Sequence, residues 1–171
     1  LAINPLLLLL DEPFTNLDPI LRHQLLSELF DFLKDKETTV LMVTHSVEEA
    51  LAYSDQIVII NYGESQQIGT PKELYFAPKN LFVANFISSP NIITCKINNS
   101  SPNNFQVDLF GEVRTIAKMP QEKLSPGDMV FLMIHKEGFT LADQGNLEGR
   151  VEKSIFTGAY LVITIKPVSY T

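Results

Sequence analysis

An unbroken run of five leucines, residues 6–10, ends abruptly in Asp11, Glu12 and Pro13. A short, wholly apolar run is typical of a strand that is buried on both faces, as in the parallel sheets of α/β proteins. Leucine is a weak strand former, but Pro13 disfavours helical geometry at Glu12, so the run predicts a strand. Two carboxylates therefore follow directly after a buried strand.

A helix and a second apolar strand come next in the sequence. Asp18 and Pro19 are typical of a helix start, and leucines then recur every fourth residue from Leu21 to Leu33, which predicts one apolar helix face ending near residues 34–36. Residues 39–43 predict another buried strand, which His45 closely follows. Two strands joined by one helix most simply form a right-handed β-α-β unit, so both strand ends lie on the same sheet edge.

The residues at that edge suit phosphate chemistry. Ligands of open α/β sheets bind outside the carboxyl ends of the strands. Asp11 suits Mg²⁺, which takes one or two carboxylates together with water and phosphate oxygens. Glu12 can orient or deprotonate an attacking water, and His45 can donate a hydrogen bond to a terminal phosphate. A solvated acidic turn and a helix-cap neighbour are the alternative interpretations, and the combination of all three residues favours a site.

The rest of the chain changes character near residue 90. Before it, the pattern predicts strands at 56–60 and 65–68, a capping box of Ser46 with Glu49 for a helix over 47–53, and helices starting at Thr70 and Asn80. After it, short β-type runs alternate with turn-rich stretches, which predicts a small barrel or sandwich. These runs cover residues 92–97, 105–109, 129–134, 151–156 and 160–165. We therefore predict an α/β domain over 1–90 and a β-rich domain over 91–171.

Composition excludes several classes. The 13 basic and 20 acidic residues give a net charge of -7, which argues against a nucleic-acid partner. Cys95 is the single cysteine, so no internal disulfide forms, and a buried structural role is expected. The longest apolar run is far shorter than a membrane helix, and no signal-peptide pattern is visible. We expect a soluble protein that reaches a membrane only through a partner.

Several ordered motifs resemble those of ABC transporter ATPase subunits. Residues 6–13 (LLLLLDEP) are similar to the Walker B strand, Asn16-Leu17-Asp18 to the D-loop, and Val43-Thr44-His45 with the following Glu48-Glu49-Ala50 to the switch-histidine segment. Residues 69–75 and 82–87 resemble the end of that domain in importers. The resemblance covers about residues 1–90, and as an ordered set the motifs are highly specific.

The resemblance implies a role for each residue at the edge. Asp11 would hold Mg²⁺, Glu12 would be the catalytic base, and His45 would sense the γ-phosphate of ATP. Asp18 would contact a second ATPase subunit in a closed homodimer. Transmembrane permease subunits, and indirectly a periplasmic or extracellular solute-binding protein, would complete an importer. The subunit would be cytoplasmic and peripheral on the inner face of the membrane.

The same resemblance sets the expected fold and solute group. It implies part of a P-loop NTPase sheet, followed over residues 91–171 by a small OB- or TOBE-like regulatory barrel that stops early near residues 167–171. Such barrels follow the ATPase in importers of ferric iron, polyamines, sulfate or sugars. The best match is at residues 151–165, and the D-loop around Asp18 leans slightly towards ferric iron.

Important motifs of that family are absent from these 171 residues. No G-x-x-x-x-G-K-[ST] phosphate-binding loop, LSGGQ signature or Q-loop is found, and the family places all three upstream. We therefore expect a C-terminal fragment that alone neither hydrolyses ATP nor binds it tightly. One alternative is a non-catalytic regulatory or interaction module whose β region binds a ligand or partner. Another P-loop enzyme, such as a helicase, is disfavoured by the D-loop and the strand-end histidine.

Overall fold

The computed structural model describes residues 5–34, 36, 38–117, 123–142, 145, 147–158 and 160–167. The chain divides into two compact units, residues 1–89 and 90–171. The first unit mixes helices with strands, and the described elements of the second are strands apart from a short 3₁₀ turn at Lys136–Gly138. The mixed α/β region followed by a β-rich region is as predicted. Within the described residues, no helix is long and apolar enough to cross a membrane.

The described residues of the first unit form eight elements, and each was predicted to within a few residues. They are β1 (Leu7–Asp11), α1 (Pro19–Lys34), β2 (Thr39–Val43), α2 (Val47–Tyr53), β3 (Ile57–Asn61), β4 (Glu64–Gly69), α3 (Pro71–Phe76) and α4 (Leu81–Ile87). Strands β1 and β2 pair in parallel with Asp11 opposite Val43, and β3 pairs antiparallel with β4. The predicted β-α-β unit is therefore formed, and the two strand ends lie side by side.

The expectation that β1 and β2 are buried on both faces is wrong for the described residues. Side chains alternate along both strands between half-buried and exposed, and Leu9 and Leu41 remain 65% and 60% exposed. The physical reason is that β1 and β2 form a sheet of only two strands in the described part of the chain. Apolar runs of this kind are buried only where a sheet is covered on both sides.

Two helix starts in the first unit follow the predicted capping chemistry. At α3, the Thr70 hydroxyl accepts a hydrogen bond from the Glu73 amide, and the Glu73 carboxylate accepts one from the Thr70 amide at 2.8 Å. The bonds that this carboxylate accepts, from the Thr70 amide and from the Thr70 hydroxyl at 3.0 Å, lower the pKa of the Glu73 carboxyl below its ordinary value of 4.5. At α4, the Asn80 side chain accepts from the Val83 amide. The caps fix where these helices begin and let their apolar faces pack into a core of Ile59, Leu74, Val83 and Ile87.

The second unit is an antiparallel assembly. Its strands are β5 (Asn91–Ser100), β6 (Asn104–Leu109), β7 (Glu112–Ala117), β8 (Met129–Ile134), β9 (Gly149–Phe156) and β10 (Leu161–Pro167). The first four form a sheet in the order β7-β6-β5-β8, and β9 and β10 form a separate hairpin. Cys95, Ile97, Phe105 and Val107 form the buried core. Burial, and then the Asp108 charge, raise the pKa of the Cys95 thiol, as fits an inert core position.

Two features of the second unit differ from the sequence prediction or go beyond it. The described strands do not close into a barrel, so the predicted OB- or TOBE-like barrel is not confirmed; the expected early stop falls partly on residues 168–171, outside the described ones.

Strand β7 was not predicted at all. It follows a two-residue turn in which Phe110 and Gly111 both have positive φ, the backbone of a type I′ hairpin. Phenylalanine is unusual at that position, so the turn gave no sequence signal.

Candidate functional site

The polar site begins where β1 ends. Asp11 is the last residue of β1, and the next amide, that of Glu12, still donates to the Val43 carbonyl at 2.8 Å. Glu12 then adopts a φ of 43°, in the left-handed region that non-glycine residues seldom enter. The strand pairing therefore holds the Glu12 backbone beside the end of β2 while the chain turns sharply away.

The turn after Glu12 is held by local hydrogen bonds. The Thr15 hydroxyl donates to the Glu12 carbonyl at 2.7 Å and lies 3.4 Å from the Glu12 carboxylate, and the Leu17 amide donates to the Phe14 carbonyl. Phe14 also has a positive φ, of 66°. Each such conformation costs about 1–3 kcal/mol and persists only where neighbouring contacts enforce it. Two of the five non-glycine residues with positive φ in the described part of the chain thus lie in this turn, beside the Glu12 carboxylate.

The Glu12 carboxylate meets the histidine of the neighbouring strand end. Glu12 Oε1 lies 3.2 Å from His45 Nδ1, and both side chains are exposed. An exposed pair of this kind stabilises a fold by about 1 kcal/mol or less. The contact therefore matters mainly for orientation: it engages Nδ1 and leaves Nε2 as the ring nitrogen for a further ligand.

Asp11 supplies a carboxylate next to this pair. It is exposed at the end of β1, opposite Val43 in the parallel ladder. No group of three or more histidine, cysteine, aspartate or glutamate side chains that could cage a metal is found in the part of the chain that the structure describes. A Mg²⁺ ion held with nucleotide phosphates needs only one or two protein carboxylates, so the donor set at this edge fits such an ion.

Asp18 lies at the start of α1 rather than at the end of β1. Its Oδ1 accepts from the Ile20 amide at 3.0 Å, and its carbonyl accepts from the Arg22 amide at 2.8 Å, so it caps α1 as the sequence predicted. Its recorded hydrogen bonds go to α1 rather than to Glu12 or His45. The structure thus brings Glu12 and His45 together, sets Asp11 beside them, and leaves Asp18 at the helix start, exposed to solvent.

Sequence reasoning missed a second polar cluster, behind His45. The predicted Ser46–Glu49 capping box is only half formed: Ser46 Oγ accepts from the Glu49 amide, but the Glu49 carboxylate goes elsewhere. Its Oε1 lies 2.6 Å from Arg22 Nε, outside hydrogen-bond alignment, and its Oε2 accepts from the Thr44 hydroxyl at 2.9 Å. Arg22 and Glu49 are opposite charges near two helix starts, but no spacing rule links residues 27 positions apart.

Comparison with known proteins gives a consistent class. No protein-family model matches the chain. It is 37% identical to the spermidine/putrescine import ATP-binding protein PotA of Nitratidesulfovibrio vulgaris over 171 aligned residues, which cover 95% of this chain and 46% of the relative. It is 34% identical to the Fe(3+) ions import ATP-binding protein FbpC of Rhizobium etli, over 94% of this chain and 45% of that protein. To PotA of Mycoplasma capricolum it is 52% identical over 94 residues, covering 55% of this chain and 27% of the relative.

The relatives are all ATP-binding proteins of solute importers, which is the class that the strand-end motifs indicated. Over nearly its whole length the chain is similar to ATP-binding subunits of ABC importers. It spans about half the length, or less, of the curated relatives it matches.

Proposed function

We propose that this chain supplies part of the catalytic site of an ATP-hydrolysing ABC importer subunit, which couples ATP hydrolysis to solute uptake. The observation that carries the proposal is the contact of Glu12 with His45 beside Asp11, at the carboxyl end of a parallel strand pair. Similarity to ATP-binding proteins of importers supports the same reaction. A non-catalytic module would have no need for a base, a histidine and a metal-suited carboxylate at one sheet edge.

The residues divide the chemistry as follows. Glu12 accepts a proton from, or orients, the water that attacks the γ-phosphate. Its carboxylate holds the His45 ring through Nδ1, so Nε2 can donate to a phosphate oxygen when the ring is in its imidazolium form. Asp11 would hold Mg²⁺, which when bound neutralises charge on the phosphates.

The remaining half of the site lies outside these residues in our proposal. Phosphoryl transfer depends on positioning and charge neutralisation, and the sequence contains no phosphate-cradling loop. We propose that residues 1–90 complete an ATPase domain with a segment that carries this loop, and that residues 91–171 form a TOBE-like regulatory domain. By itself the chain would then be inactive.

The proposed function also implies an assembly with other subunits. Asp18, exposed at the start of α1, would contact a second ATPase subunit, and permease subunits would hold the pair at the cytoplasmic face of the membrane. The relatives are named for spermidine, putrescine and Fe(3+) ions, all of them cations. We propose a cationic solute, and uptake of labelled spermidine against labelled ferric iron by cells carrying the importer distinguishes the two.

The test of the catalytic proposal is Glu12→Gln in the intact subunit that contains this chain. Glutamine keeps the size of the side chain but removes the base, so we expect steady-state phosphate release to fall by about 100-fold or more while ATP affinity changes by less than about threefold. Glu48→Gln is the matched control, because it removes the same charge from an exposed position on α2. Turnover in Glu12→Gln equal to that of the control would contradict the proposal.

A further inference from the structure

The segment that carries His45 is held from behind by a chain of polar contacts. Thr44 Oγ1 accepts a hydrogen bond from the Ser46 amide at 3.0 Å, so the hydroxyl closes the turn around His45. The same hydroxyl donates to Glu49 Oε2 at 2.9 Å. His45 therefore lies between Thr44 and Ser46. The Thr44 side chain is hydrogen-bonded both to the Ser46 backbone and to Glu49 in the first turn of α2.

The far end of this chain of contacts is an ion pair between two helices. Arg22 in α1 and Glu49 in α2 leave only 15% and 11% of their side chains exposed, in contrast to the exposed Glu12–His45 pair. An ion pair in a partly desolvated place is screened less by solvent and salt than one in water. Arg22 also lies in the first turn of α1, which Asp18 caps.

We propose that Thr44 and Glu49, anchored by Arg22, are positioning residues for His45 in ATP hydrolysis. They touch neither Glu12 nor the reacting atoms in this proposal; they fix the 44–46 turn so that the imidazole meets Glu12. The diversion of the Glu49 carboxylate from its predicted cap role to Thr44 and Arg22 is the observation behind it. The inference rests on the proposed function, because it assigns the network to that site.

The first experiment measures the turn itself, independently of turnover. Thr44→Val replaces the hydroxyl by a methyl group of similar size, and Thr44→Ser keeps the hydroxyl. In the intact subunit, hydrogen exchange of the peptide over residues 44–49 is expected to be faster in Thr44→Val by about tenfold and close to wild type in Thr44→Ser. Unchanged exchange in Thr44→Val would overturn the claim that the hydroxyl closes the turn.

The second experiment measures the consequence for catalysis. We expect Thr44→Val to lower kcat by about tenfold, since a small misplacement of a catalytic group has effects of this order or larger, and to change KM for ATP by less than about twofold. Thr44→Ser should restore turnover. Arg22→Lys keeps the cation but not the guanidinium geometry, and provides a second, milder variant with a smaller loss of the same kind. The exposed Glu48→Gln should turn over like wild type.

A double-mutant cycle with His45→Ala separates positioning from a general structural effect. His45→Ala alone is expected to lower kcat by about 100-fold. If Thr44 acts through His45, Thr44→Val/His45→Ala matches His45→Ala within about twofold; multiplying losses would overturn the inference. If kcat falls in His45→Ala but turnover in Thr44→Val equals that of wild type, only this inference is rejected. Full turnover in His45→Ala would reject the proposed role of His45 and this inference with it.

Discussion

The strand end of the first unit and the four-stranded sheet of the second place their polar groups in opposite ways. At the end of β1, Glu12 and His45 are in contact in an exposed turn that contains two positive-φ residues, and Asp11 directly precedes Glu12. In the second unit, a shallow cavity of about 260 Å³ beside β5 and β6 is lined by Asp108, Thr94 and the buried Cys95, amid mostly apolar neighbours. In our proposal, the chemistry of this chain therefore lies where parallel strands end, rather than where its sheet packs best.

The two sheets also differ in how far they bury their own strands. An antiparallel sheet can keep one face in water, and β5 and β6 bury Ile97 and Val107 almost completely. A parallel pair rich in leucine needs cover on both faces, and Leu9 and Leu41 lack it among the described residues. Among the described residues, the β5–β6 sheet therefore has a closed apolar core, whereas the β1–β2 pair does not.

The largest expected effect is at Asp11. In the intact subunit, Asp11→Asn should lower turnover by on the order of 1000-fold, because losing the proposed metal ligand would remove several kcal/mol of charge stabilisation. The affinity for ATP should also lose its dependence on Mg²⁺, which nucleotide titrations with and without a chelator measure. Asp108→Asn is the control in the other unit, and it should turn over like wild type. Equal effects of the two substitutions would erase the proposed difference between the regions.

The next effect concerns packing rather than chemistry. Ile97→Ala in β5 should destabilise the 171-residue chain by about 2–5 kcal/mol, because it leaves a cavity in a closed core. Leu9→Ala in β1 should cost about 0.5 kcal/mol or less in the same chain, since that side chain is largely exposed. Urea unfolding monitored by circular dichroism gives both free energies. A larger cost for Leu9→Ala would show that β1 is buried after all.

The smallest expected effect is at the cap of α3, which is complete where that of α2 is only half formed. The folded-state pKa of Glu73 is lowered by its bonds with Thr70, so its contribution to stability is present above its unfolded pKa and is lost as pH falls through the lowered folded value. Thermal melting of Glu73→Gln should therefore differ most from wild type at neutral pH and converge with it below pH 4.5. A difference that persists unchanged well below pH 4.5 would argue against the ionised cap.

Much of the first unit and its site could be predicted from local signals. The leucine run, Pro13 and the recurring leucines of α1 indicated a β-α-β unit, and that topology is enough to bring Glu12 near His45. Capping residues located α3 and α4 because side-chain oxygens at fixed offsets satisfy helix amides. Each of these signals acts within a few residues of the element that it predicts.

The rest depends on contacts that the sequence pattern does not encode. Glu49 has the spacing of a capping residue, yet its carboxylate pairs with Arg22 in another helix, because the tertiary fold brings a cation closer. The Phe110-Gly111 turn takes a glycine-type conformation at a phenylalanine, so β7 was missed. Burial of β1 was predicted from apolarity alone, and apolarity does not say whether a covering layer is present.

In our proposal, these residues form one half of an ATP site. Calorimetric titration of ATP with Mg²⁺ into the 171-residue chain, compared with the intact subunit under the same conditions, tests it most directly. We expect micromolar binding by the intact subunit and no detectable binding by the chain, because it lacks a phosphate-cradling loop. Micromolar binding by the chain alone would contradict the account.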